Sequence, residues 1–62
     1  MTVKEMRALT GLSQSNFAEK FHIKVDTYRM WEQGVNPVPV YVSFMIETIL
    51  RYERYIVDAK EG

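Results

Sequence analysis

The chain of 62 residues contains no cysteine and a single histidine. No disulfide can staple it, and a zinc site of the usual Cys/His kind has too few ligands. It has no excess of charge, because eight basic and eight acidic residues cancel. That balance weighs against a nucleic-acid partner, since such domains are usually basic. No apolar run approaches the roughly 20 residues needed to span a bilayer, and the first residues show no secretory signal pattern. The expectation is a cytoplasmic protein with no membrane partner. What is present is 47% hydrophobic and 13% aromatic residues, enough for a packed core and too much for disorder. A chain this short forms one domain, residues 1–62, and buries only about 60% of its unfolded surface. Its stability must come from apolar packing, which a second chain could share.

Helix signals punctuate the sequence. Thr2 and Glu5 have capping-box spacing, and Val3, Met6 and Leu9 then share one face. Gly11 suits a left-handed stop. Ser13 is the next N-cap candidate, and Phe17, Ala18 and Phe21 follow at helical spacing, so a second helix runs from about Gln14 to Lys20 or Phe21. His22 stands in a turn too short to avoid a positive φ, a conformation in which histidine is enriched. A third helix starts near Lys24 or Val25 and stops at Gly34. In it Tyr28 and Trp31 point inward together, while Asp26, Arg29, Met30 and Gln33 lie on the opposite side. Residues 35–39 form a loop, because Pro37 and Pro39 break a helix.

A last helix is expected from about Pro39 through Tyr55, reaching as far as Ala59. Val42, Met45, Ile46, Ile49 and Ile56 form the stripe that would close the core. Tyr41, Phe44, Tyr52 and Tyr55 widen it on one side, and Leu50 and Val57 on the other. The apolar arc, about 240° by this reading, exceeds the hundred degrees or so that one core contact needs. The aromatic side is therefore the candidate surface for a second copy of the chain.

Two short helices joined by a tight turn, the second with a polar outer face, make a helix-turn-helix. Ala18 is small where the helices cross, and Phe21, Ile23, Tyr28 and Trp31 are apolar where they close on each other. In that geometry the start of the third helix projects outward, able to enter a major groove. The stretches GLSQSNFAEKFHI and WEQGVNPVP resemble the Cro/Xre-type phage-repressor family of helix-turn-helix proteins, over about Met6 to Leu50. The resemblance implies an all-α, compact bundle of four or five helices, with double-stranded operator DNA as partner, bound by a homodimer. It also implies that Lys24, Val25, Asp26 and Met30 lie where relatives contact bases. By the same resemblance Gln14 binds backbone phosphate, and Arg29, Gln33 and Asn36 reach phosphate or flanking bases. The chain departs from the family pattern with His22 where glycine is common, a bulkier Tyr28, an acid at Asp26, and Val35-Asn36 in a segment that is often basic.

The acids form no catalytic set. Glu5, Glu19, Glu32 and Glu47 fall on helix surfaces or caps, without metal-ligand spacing or a nucleophile–base pair. Glu32, beside Trp31, reads as a structural residue. No enzyme activity, cofactor, metal or small-molecule ligand is expected, and regulation would come through protein concentration. Glu47/Arg51 and Arg54/Asp58 are i, i+4 pairs on a solvated face. The rival to a repressor is a protein-binding module on the same scaffold, antitoxin-like or inhibitory, favoured by the zero net charge and the surplus apolar surface.

Overall fold

Thr2 and Glu5 do form a reciprocal capping box. The Glu5 amide donates to Thr2 Oγ1 at 3.1 Å, and the Thr2 amide to Glu5 Oε1 at 2.8 Å. These bonds satisfy donors that no helical carbonyl can reach. The Thr2 backbone amide, foremost, draws the Glu5 carboxyl below its ordinary range. The computed structural model describes residues 1–57, and in them four helices follow one another with no strand. They are α1 (Val3–Thr10), α2 (Gln14–Lys20), α3 (Val25–Gln33) and α4 (Val40–Tyr52).

Three of the four helix ends share one device. In each, a residue just past the helix is left-handed and the next amide reaches back over six residues to close the turn, the Schellman arrangement. Gly34 does this for α3, at φ 80°, with Val35 donating to Met30 O. His22 does it for α2, at φ 58°, with Ile23 donating to Ala18 O at 2.8 Å. The positive φ expected of His22 is therefore present.

The third case is a correction. Arg54 adopts φ 72°, Tyr55 donates to Leu50 O at 2.8 Å, and α4 ends at Tyr52 rather than running through Tyr55. The helical periodicity continues past Tyr52, yet the chain reverses at Arg54, and Ile56 beyond the reversal is buried. The expected reach to Ala59 and the Arg54/Asp58 pair lie outside the described residues.

The core is Val3, Met6, Phe17, Ala18, Phe21, Tyr28, Val42, Ile46, Leu50 and Ile56. At its centre Phe17 packs on Phe21 and Tyr28, with ring centroids 5.0 and 5.4 Å apart, edge-on or tilted as aromatic quadrupoles prefer. The α4 stripe is Val42, Ile46 and Leu50, spaced by four. Leu50 is fully buried, not surplus as its position suggested, and Met45 is exposed. Leu9, in the last turn of α1, also faces outward. Lys20 Nζ lies 2.9 Å from Glu53 Oε1 and ties the end of α2 to the cap of α4. Both groups are partly exposed, so this pair contributes at most about 1 kcal/mol.

Candidate nucleic-acid interface

Helices α2 and α3 meet across the turn at His22, and α3 is seated by one side chain above all. Tyr28 is fully buried, packed against Phe17 and, at 6.3 Å, against Trp31. With that face fixed inward, Asp26, Arg29 and Gln33 are exposed on the other, Met30 is half-buried, and Lys24 is exposed at the N-cap. Val25 is also half-buried, because its side chain packs against the core. Of the four expected base readers, Lys24 and Asp26 are exposed, Met30 is half-buried on the outer side, and Val25 is half-buried against the core. Asn36 sits beyond the end of the helix and donates to Met30 Sδ at 3.4 Å, which holds the two against each other.

Asp26 sits in the first turn of α3, where the helix dipole favours an acid. Arg29 Nη1 lies 3.7 Å from Asp26 Oδ1. The acid of the outer face thus has a cation beside it, and the two neutralise each other locally.

The structure shows a cluster whose extent the sequence did not. The Glu32 side chain is only 6% exposed, yet it carries a charge. Its Oε2 accepts from Arg7 Nε at 2.8 Å and from the Tyr28 hydroxyl at 2.5 Å. Its Oε1 accepts from Gln14 Nε2 at 2.9 Å and from Arg7 Nη2 at 3.3 Å. Burial pushes the Glu32 carboxyl up, but the bonds from Arg7, Tyr28 and Gln14 outweigh it and hold it at about 2. The Tyr28 phenol is pushed up, first by burial and then by the neighbouring carboxylate. The Arg7 guanidinium is raised in turn by its bonds to Glu32, and its Nη1 donates to Leu12 O at 3.1 Å. One carboxylate thereby joins α1, α2 and α3. The signal available in sequence was Glu32 four residues after Tyr28, hence on the inward side of α3, where an acid needs a buried partner.

Gln14, expected at phosphate, is half-buried and spends an amide N–H on Glu32. Its Oε1 faces Arg29 Nε at 3.4 Å. Away from this cluster, Tyr41, Phe44 and Tyr52 stay together on one side of α4, 75%, 70% and 87% exposed. Tyr55, expected on the same helix face, lies past the reversal at Arg54. Exposed Met45 takes its place beside the other three. An open depression between the N-terminus and α4, floored by Val3, Trp31 and Val38, borders Phe44.

No group of acids or histidine among the described residues could hold a metal ion, and no described helix is long and apolar enough to cross a membrane. No curated protein and no solved structure matches the chain. A family model does, that of the helix-turn-helix proteins, over residues 3–56. This match spans all four helices and the buried Ile56, and its family is typically non-enzymatic with DNA as its partner. By the fold, the geometry of α2 and α3 and this match, the chain belongs to the Cro-type, or Xre, family of helix-turn-helix DNA-binding proteins.

Proposed function

We propose that the chain is a sequence-specific transcriptional repressor, binding promoter DNA as a homodimer at an inverted repeat, its own promoter included. The observation that carries this reading is α3 itself. A helix held by a fully buried Tyr28 and a three-helix carboxylate cluster presents Lys24, Asp26, Met30 and Gln33 to solvent on a rigid base. Rigid support of this kind is what base readout requires. Arg29 and Asn36 flank that face and serve the backbone or neighbouring bases.

Two of the cations stand at this face, Lys24 and Arg29, and Arg29 is shared with Asp26. Phosphate neutralisation is therefore sparse, about two per subunit, each adding roughly 0.9 to the salt slope. Specificity comes from the α3 side chains, and affinity from pairing two half-sites about 34–36 Å apart. Tyr41, Phe44, Met45 and Tyr52 form the self-association surface. Three aromatics at these exposures offer on the order of 350–580 Å² per copy, so two copies approach the area of a stable interface.

Selection from random duplexes, followed by footprinting across a salt series, tests the reading. A two-fold symmetric site is expected. An asymmetric site, or no selected sequence, supports the second reading, a protein-binding module. The observation that favours that reading is the same exposed aromatic stripe on a chain of zero net charge.

A further inference from the structure

Glu32 settles which way the Gln14 amide points. A carboxylate can only accept hydrogen bonds, so the Gln14 group that faces it at 2.9 Å must be the NH2. The carbonyl is then turned the other way, towards the outer side of α3. There Arg29 Nε meets it at 3.4 Å, while Arg29 Nη1 approaches Asp26 Oδ1 at 3.7 Å. The guanidinium thus meets oxygens from two different helices at two of its nitrogens. The first residue of α3, Val25, has no polar group with which to take the Gln14 carbonyl itself.

We propose that Gln14 is a positioning residue for Arg29: locked by the Glu32 carboxylate, it presents its carbonyl to the Arg29 guanidinium and sets the direction in which that cation meets the DNA backbone. This rests on the DNA-binding reading above. It differs from a direct phosphate contact by Gln14, because the whole effect of Gln14 on DNA then passes through Arg29. An arginine fixed in place loses less rotamer freedom on binding than a loose one. In a protein with so few cations at its face, that saving matters more than in a basic one.

Two measurements on the full chain test it. The first needs no DNA. By NMR, exchange of the Arg29 Nε proton with water is slow in the wild type and several-fold faster in Gln14→Ala, whose thermal melt reports that the fold is retained. The second is a double-mutant cycle on the selected duplex, with binding measured across a salt series. Gln14→Ala, Arg29→Ala and the double variant each lower the slope by the same amount, about 0.9. An Arg29 proton indifferent to Gln14→Ala overturns the proposal whatever the protein does with DNA. Slopes that add in the double variant overturn it too, and make Gln14 a phosphate ligand in its own right. A wild type that selects no duplex removes the DNA reading and this proposal together, while the first measurement still tells whether Gln14 holds Arg29.

Discussion

The Tyr28 hydroxyl lies 2.5 Å from Glu32 Oε2, one helical turn further along α3, and 3.1 Å from the Val3 carbonyl. It has one proton, and the carboxylate, charged and closer, takes it. A tyrosine at this position therefore does two jobs: its ring fills the core and its oxygen helps hold a buried charge.

Removing that oxygen should cost more than an ordinary hydrogen bond. Tyr28→Phe keeps the ring but leaves Glu32 with three donors, two from Arg7 and one from Gln14. We expect a loss of about 1.5–3 kcal/mol in urea unfolding followed by Trp31 fluorescence, in the range for bonds to charged groups. A loss under about 0.5 kcal/mol would mean that the hydroxyl is incidental.

The same cluster predicts acid sensitivity. The Glu32 carboxyl is depressed from its ordinary 4.5 to about 2 in the folded chain. A depressed carboxylate stabilises the fold fully above its unfolded value, and that stabilisation is lost as pH falls through the folded one. Unfolding free energy should therefore drop between about pH 4.5 and 2, by on the order of 3 kcal/mol from this group. Glu32→Gln should be less stable at neutral pH, because it leaves Arg7 uncompensated, and its stability should fall less over that window. An equally steep fall in the variant would assign the acid transition to other carboxylates.

His22 offers a backbone test. Its φ of 58° suits glycine best and a β-branched residue worst. His22→Val is expected to destabilise the domain by about 1–2 kcal/mol, and His22→Gly to leave it unchanged or up to about 1 kcal/mol more stable. Thermal melts of the pair decide this, and equal melting points would contradict the left-handed turn.

Asp26 should act as a repulsive element on the reading face. It can accept from cytosine N4, and it repels phosphate wherever no such donor meets it. Asp26→Asn removes the charge that repels phosphate, so binding to random duplexes should tighten. Discrimination at one C·G pair should fall by roughly 1–3 kcal/mol. Unchanged preferences at every base pair would reduce Asp26 to a helix-dipole residue.

Self-association should depend on the α4 stripe and not on Tyr55. Tyr41→Glu with Phe44→Glu is expected to give a monomer by light scattering at micromolar concentration, with much weaker binding to the full site. Tyr55→Glu, beyond the helix end, should leave the dimer intact. A wild type that is monomeric under the same conditions and still binds the full site tightly would remove the stripe from the function.

The local grammar of the fold was readable in the chain. Caps at Thr2 and Ser13, stops at Gly11, His22 and Gly34, and the inward pair Tyr28 and Trp31 all act within four residues or so of themselves. Short-range sterics and hydrogen bonding decide them before any tertiary contact forms. The outward Asp26, Arg29 and Gln33 follow from the same periodicity. What depended on the folded whole was of longer range. Arg7 and Glu32 are 25 residues apart, and no periodicity announces that one carboxylate will gather donors from three helices. The end of α4 was not legible either: the chain turns at Arg54 and buries Ile56 beyond it, although the helical pattern ran on. Leu50 went inside and Met45 outside. A period of 3.6 defines an arc of apolar residues, but only the neighbouring helices determine which part of that arc meets another surface and which part is left to meet a partner.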